Sequence, residues 1–287
     1  MKISLLQKVM MQEDLNFLLT NRIPRLVATR LMGWLSKIES PLFTRCAVAV
    51  WRLFTDLDLS EAKEQRFNSI QACFTRELKA GARTVDTSPS VMSSPCDAIV
   101  GECGAVEGRT VFQAKGFPYT TTDLFGPTQD PSVFEDGVFV TLRLTSAMYH
   151  RFHAPDDLQV QHLTFISGDT WNVNPIALKR VERLFCKNER AVVRAQTADG
   201  HPVAIVPVAA VLVASLRLRF LSVLLHNGYQ GTTEFELQAY YTRGEEMGWF
   251  QHGSTIIVFA PRGFELAPGI TTGQRIKMGQ ALLTKPV

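Results

Sequence analysis

Residues 245–261 read EEMGWFQHGSTIIVFAP, and the second half of that stretch decides what kind of fold the chain adopts. Ile256, Ile257, Val258 and Phe259 form an unbroken β-branched and aromatic run stopped by Pro261, which reads as a buried strand. Immediately before it stands Gly253-Ser254-Thr255, a small, flexible, hydroxyl-bearing step that strand formation alone does not require.

Working outward, the chain from about residue 76 repeats this texture. Short β-branched segments (DAIVGECGAV, RTVFQAKG, GVFVTLRL, AVVRAQT, AIVPVAAVLVASL, TEFELQAYYTRG) alternate with Gly, Pro, Asp and Asn. Turn signals at such intervals predict a β-dominated core, and the tail GITTGQRIKMGQALL adds two small strands. The first 75 residues differ. Leu26, Val27, Leu31, Trp34, Leu35 and Ile38 recur at helical spacing, as do Phe43, Ala47, Val50, Trp51 and Phe54. Residues 1–55 hold eight Lys and Arg against three carboxylates, a net +5. Basic amphipathic helices containing Trp suit an anionic membrane surface, although periodicity alone fits an ordinary helical cap on the core at least as well.

Bulk properties narrow the function. At 287 residues with 46% hydrophobic and 20% charged side chains, the chain can bury a large core. A net charge of +3 without a Lys/Arg block gives no support for nucleic-acid binding. Cys46, Cys73, Cys96, Cys103 and Cys186 are odd in number and form no C-x-x-C pair, which fits a reducing compartment. The N-terminal apolar stretch is broken by Gln12, Glu13 and Asp14 and is not read as a signal peptide. The longest apolar run, Pro202 to Leu216, is too short to span a bilayer and contains Pro207.

Several chemistries fail on spacing. His150 and His153 are three apart, but Ala154-Pro155 turns the segment away from a helix and no further ligand lies nearby, so no metal site is expected. A hydrolase elbow at Ser254 would require Gly at 256 and a following helix; the chain has Ile256 and a strand. Nucleotide-binding glycine motifs are missing. What remains is an acid, Asp97 in SSPCDAIVGECG, two histidines in MYHRFHAP, and Ser254.

Taken in order, the blocks RLMGWLSKIESPLFTR, FNSIQACFTRELKAGAR, SSPCDAIVGECG, FQAKGFPYT, YHRFHAP, FISGDTWNVNP, LFCKNERAVV and RGEEMGWFQHGSTIIVFAP resemble the phosphatidylserine decarboxylase proenzymes of the bacterial type, over nearly the whole chain. The resemblance implies an α+β fold: a helical, membrane-associating N-terminal region (1–75) followed by a β-dominated, barrel-like core (76–287). It implies that Ser254 attacks the Gly253 carbonyl and that elimination then cuts the chain into a β chain, 1–253, and an α chain, 254–287. Hydrolysis of the resulting dehydroalanine leaves a pyruvoyl group derived from Ser254 as cofactor. Asp97, His153 and Ser254 are then the self-maturation triad, with His153 the base and Asp97 fixing its tautomer. The pyruvoyl carbonyl forms a Schiff base with phosphatidylserine, CO2 leaves, and phosphatidylethanolamine is the product. His150 is expected to meet the substrate carboxylate and to reprotonate the carbanion. The implied partners are phosphatidylserine, an anionic membrane surface, and the β and α chains as a heterodimer able to dimerise further. The implied location is peripheral, on the cytoplasmic side of the bacterial inner membrane.

Three departures from the family pattern stand out: His252 before the scissile glycine, Ala98 after Asp97 where the family has Gly, and Val213-Ala214-Ser215 for Val-Gly-Ser. They leave one reading of another class, a membrane-associated β protein that keeps the fold and does not mature. Another amino-acid-derived head group is a third possibility that only a substrate assay separates.

Overall fold

The computed structural model describes residues 12–212, 215–251 and 255–286. Helices α1 (Glu13–Asn21), α2 (Arg25–Leu35), α3 (Pro41–Phe54) and α4 (Ile70–Phe74) come first. Ser40 caps α3 by accepting from the Phe43 N–H, with Pro41 in the first turn where no N–H is needed. Then follow β1 (Val91–Ser93), β2 (Ala98–Ala105), the hairpin β3 (Thr110–Ala114) and β4 (Phe117–Thr120), α5 (Thr121–Phe125), β5 (Val138–Arg143), β6 (Arg151–His153) and β7 (Leu158–Ile166). One-turn helices α6 (Pro175–Leu178) and α7 (Leu184–Lys187) precede β8 (Arg190–Thr197), β9 (Pro202–Val208), β10 (Ser215–Leu218) and β11 (Leu224–His226). The chain ends with β12 (Glu234–Tyr241), β13 (Glu246–Phe250), β14 (Thr255–Ala260), β15 (Glu265–Leu266), β16 (Arg275–Ile276) and β17 (Ala281–Thr284).

An antiparallel eight-stranded sheet in the order β12-β7-β8-β9-β14-β5-β2-β16 carries the fold. No ladder joins β12 to β16 among the described residues, so the expected barrel-like core is an open sheet. Beside it lie a four-stranded sheet, β11-β10-β13-β6, and a three-stranded one, β1-β17-β15. β14 sits near the middle, between β9 and β5, and every residue in it is buried. Ile256, Val258 and Ala260 enter one apolar cluster with the smaller sheets, while Ile257 and Phe259 enter a second on the opposite face. Both faces are covered, and the continuous apolar run follows from that. Burying each large side chain contributes about 1.5–3 kcal/mol.

The N-terminal helices are docked with their polar side inward. Thr29 Oγ1 accepts from the Leu212 N–H (3.0 Å), Asn21 Oδ1 from the Asn172 N–H (3.0 Å), and Arg25 pairs with Asp169 while lying 3.7 Å over the Trp171 ring. The apolar stripe of α2 points away from the sheets: Val27, Leu31 and Trp34 are 64%, 60% and 64% exposed. On α3, Val50, Leu53 and Phe54 are likewise exposed, whereas Trp51 is half-buried and stacks on Phe74. A helical cap packed by its apolar face onto the core, the bland reading of the periodicity, does not describe this arrangement.

Candidate active site

β13 leads into residues 252–254 and β14 leads out, and these two strands belong to different sheets. His252, Gly253 and Ser254 lie outside the described residues, but both flanks are fixed. Upstream, β13 pairs with β6 so that Glu246 is opposite His153, Gly248 opposite Phe152 and Trp249 opposite Arg151. The ladder continues past the strand, with the Phe250 N–H donating to the His150 carbonyl at 3.1 Å. Gly248 is required here because a Cβ would lie 2.3 Å from the Arg217 carbonyl oxygen of β10. Downstream, Thr255 is locked between Arg143 of β5 and Val208 of β9. The described flanks thus belong to two sheets, with β13 beside β6 in the four-stranded one and β14 between β5 and β9 in the eight-stranded one.

His153 is buried, and both ring nitrogens are engaged. Nδ1 lies 2.8 Å from the Gly244 carbonyl, which can only accept, so Nδ1 carries the proton. Nε2 is then the acceptor, 2.9 Å from the Tyr149 hydroxyl. Burial lowers the His153 pKa below the ordinary histidine value, against the opposing hydrogen bond to Gly244, so the ring is a neutral base at pH 7. Gly244 aims its carbonyl from a positive φ of 85°, a conformation that glycine adopts without strain. Tyr149 keeps its proton because burial pushes its pKa up.

Asp97 is brought to the same place by a different route. The His153 N–H donates to the Pro95 carbonyl (2.8 Å), two residues before Asp97. The Asp97 carboxylate itself faces Arg83, which approaches with Nε at 2.8 Å and with a second guanidinium nitrogen, and it accepts from the Met278 N–H at 2.9 Å. Burial opposes the charge of Arg83, but hydrogen bonds to Asp97 and Glu61 outweigh it and hold its pKa above the ordinary value. The expectation that Asp97 fixes the His153 tautomer is thus met by another group, the Gly244 carbonyl, while Asp97 anchors Arg83. Ala98 opens β2 fully buried, and its backbone is not in the positive-φ region, so its Cβ is accommodated.

His150 is fully buried with its ring centroid 3.8 Å from that of Phe74. Phe74 also lines an apolar cavity of about 790 Å³ between α2, α3 and the end of β5. The Thr255 hydroxyl, adjacent in sequence to Ser254, is fully buried and has no hydrogen-bond partner among the described residues. Tyr149, Gly244 and Arg83 were not singled out by sequence reasoning. Only their membership in the quoted blocks YHRFHAP, RGEEMGWF and FTRELKAGAR marked them.

Glu189, in the block LFCKNERAVV, is 2% exposed, and burial pushes its carboxyl up to about 8 from 4.5. A carboxyl whose folded pKa is raised stays protonated while the unfolded chain ionises, so stability falls as pH rises from 4.5 towards 8. The slope reaches about 1.4 kcal/mol per pH unit. Glu189→Gln is expected to flatten that profile and to raise stability at neutral pH. Urea unfolding of an uncleavable Ser254→Ala background at pH 5 and pH 8 measures it, and an equally steep profile in the variant contradicts this assignment.

A sequence model of the family described as phosphatidylserine decarboxylase matches residues 70–284. Curated relatives named phosphatidylserine decarboxylase proenzyme align along most of both chains. Those from Xylella fastidiosa (strain M12) and Haemophilus influenzae (strain Rd) are 34% and 31% identical, covering 92% of this chain and 92% and 93% of their own. The one from Brevibacillus brevis is 30% identical, covering 93% and 96%.

Proposed function

The chain belongs to the phosphatidylserine decarboxylase family, and from that premise we propose that residues 245–261 and residues 150–153 form its maturation and reaction centre. It is a carboxy-lyase made as a proenzyme and dependent on a pyruvoyl group made from its own serine. One observation carries the site assignment: β13, the strand before Gly253-Ser254, pairs with β6, which ends in buried His153, and its Phe250 N–H bonds to the carbonyl of buried His150 just before β6. The reading that the chain keeps the fold without chemistry has nothing comparable behind it.

In maturation, neutral His153 takes the Ser254 hydroxyl proton at Nε2, sharing that position with the Tyr149 hydroxyl, while the Gly244 carbonyl holds the ring. The serine oxygen attacks the Gly253 carbonyl and the peptide nitrogen leaves it, giving an ester. Loss of the residue-254 Cα proton then expels chain 1–253 as a carboxylate, and hydrolysis of the dehydroalanine releases ammonia. Asp97 contributes through Arg83, whose pairing keeps the Pro95–Asp97 segment in register with the His153 backbone. Removing one partner of such a buried pair costs about 3–5 kcal/mol. The pyruvoyl carbonyl supplies an electron sink for the pair left behind when CO2 departs. His150, in its dry pocket against Phe74, receives the substrate carboxylate and returns the proton to the carbon. Phosphatidylserine is the substrate and phosphatidylethanolamine the product. The test is intact mass of the purified protein together with CO2 release from phosphatidylserine and from other amino-acid head groups. An unsplit chain without turnover contradicts the reading.

Residues 1–75 serve as the membrane-facing part and 76–287 as the catalytic core, cleaved between 253 and 254. No helix among the described residues is long and apolar enough to cross a membrane. The outward stripe of Val27, Leu31 and Trp34, flanked by exposed Arg22, Arg30 and Lys37, instead suits insertion into an anionic interface at the cytoplasmic side of the inner membrane. Exchanging Val27, Leu31 and Trp34 for Ser is expected to weaken partitioning into phosphatidylglycerol vesicles about 10²-fold or more, because each side chain is worth ~1.5–3 kcal/mol when buried. Flotation measures it, and undiminished binding counts against the surface. Point variants are preferable to deletion of residues 1–40, which also removes the Thr29 and Arg25 contacts to the core.

A further inference from the structure

Arg143 ends β5 directly opposite Thr255, the residue after Ser254. Its side chain lies on the face that also carries Phe139 and Thr141, and it reaches the wall of the 790 Å³ cavity bounded by Met32, Phe43, Val50, Trp51 and Phe74. Of the residues lining that cavity, Arg143 alone is charged. The guanidinium makes no ion pair and no side-chain hydrogen bond among the described residues. The other half-buried or buried arginines near the site are all paired or bonded: Arg83 to Asp97 and Glu61, Arg151 to Glu246, Arg76 to the Ala147 carbonyl. Burial without a compensating charge pulls its pKa below the ordinary arginine value, although far too little to discharge it at neutral pH. An unpaired cation on an apolar wall is costly unless an anion arrives to meet it.

Resting on the decarboxylase reading above, we infer that Arg143 is the anchor for the phosphodiester of the phospholipid, held as a bidentate guanidinium–phosphate pair at the mouth of the acyl-chain cavity. The order of groups in the substrate matches the order in the protein. Phosphatidylserine runs from amine and carboxylate through phosphate and glycerol to acyl chains; the fold runs from Thr255, the residue after the reactive serine, across to Arg143 and on to the apolar wall. The planar fork of arginine suits two phosphate oxygens. The carboxylate is the poorer partner on energetic grounds. A cation on the departing carboxylate stabilises the ground state more than the transition state, in which that charge is moving into the carbonyl sink. A cation on the phosphate holds substrate and product equally and leaves the reacting charge free to move.

Binding to the uncleavable Ser254→Ala chain, measured by calorimetry, separates these possibilities without requiring turnover. The probes are dihexanoyl-phosphatidylethanolamine, which has the phosphodiester but no carboxylate, and dihexanoylglycerol, which has neither. Arg143→Gln is expected to weaken the first at least tenfold and leave the second unchanged, with Arg143→Lys in between. Equal loss of both probes, or loss of neither, overturns the anchor. In the Ser254-containing chain, Arg143→Gln is expected to mature normally and to lose kcat/KM on short-chain phosphatidylserine mainly through KM. It should retain its rate on an O-alkyl serine, which has the carboxylate and amine but no phosphate. A parallel fall on the O-alkyl serine reassigns Arg143 to the carboxylate and defeats the proposal. Failure of the decarboxylase reading itself shows separately, as an unsplit parent chain.

Discussion

Ser254→Ala leaves one 32.0-kDa chain where the parent separates into residues 1–253 and a fragment of 34 residues, 254–287. By its share of the length, 34/287, that fragment weighs about 3.8 kDa. The effect is all-or-none because the hydroxyl has two uses. It is the nucleophile that cuts the chain, and its loss by elimination is what lets Cα of residue 254 become the ketone on which decarboxylation depends. Without it no electron sink exists, so turnover falls by the enzyme's whole acceleration, at least ~10⁶-fold. Intact mass spectrometry reads the cleavage, and borohydride or hydroxylamine reads the carbonyl at the new N-terminus. Ser254→Ala protein that still splits, or parent protein without a reactive carbonyl, sinks the mechanism. His252, next to the proposed scissile bond, is expected to tolerate exchange for Leu with cleavage intact, since in the proposed mechanism His153 is the base.

The roles proposed for the two histidines predict that variants at these positions separate maturation from decarboxylation. His153→Ala removes the base, and general-base assistance is typically worth about 10²–10⁴-fold, so uncleaved precursor accumulates and activity falls with it. His150→Gln keeps the base, matures fully, and loses kcat by a similar ~10²–10⁴-fold at the protonation step. Completed cleavage in the His150 variant itself reports that the protein has folded. A gel after timed incubation and a CO2-release assay on the same samples give both readouts. If the His150 variant stays whole while the His153 variant matures, the roles are exchanged and the present assignment is wrong. Because burial holds the His153 pKa below the ordinary value, the cleavage rate is expected to be flat through neutral pH. It should decline only on acidification, as Nε2 takes up a proton and the ring ceases to be a base.

The proposed site residues were named from the blocks Y-H-R-F-H-A-P and E-M-G-W-F-Q-H-G-S-T, whose order resembles the family's, and the structure sets the strands carrying those blocks side by side. Their partners were not legible in the same way. The Gly244 carbonyl reaches His153 across 91 residues and the Met278 N–H reaches Asp97 across 181. A backbone carbonyl has no sequence signature at all. Asp97 illustrates the cost of that blindness: an acid, a histidine and a serine suggest a relay, yet the carboxylate is spent on Arg83, fourteen residues upstream. Nothing in the sequence distinguishes Arg143, and only its place on the cavity wall without a carboxylate partner among the described residues sets it apart.

By itself the sequence determined every feature that depends on neighbours along the chain. These are the buried strand in TIIVFA, the helical period between residues 26 and 54 and the order of the reactive blocks. Tertiary structure alone decided which way those features face. The stripe Leu26, Val27, Leu31 and Trp34 is the same stripe whether it meets the core or the solvent, because a period fixes only which side chains share a face. Thr29, Asn21 and Arg25 settle the matter by bonding to Leu212, Asn172 and Asp169, segments that approach from far along the chain. In the same way, the strands before and after Gly253-Ser254 came to lie in two different sheets only when β13 found β6 and β14 found β5 and β9. Pairing between distant strands depends on the whole set of competing partners, and no local window of residues contains that information.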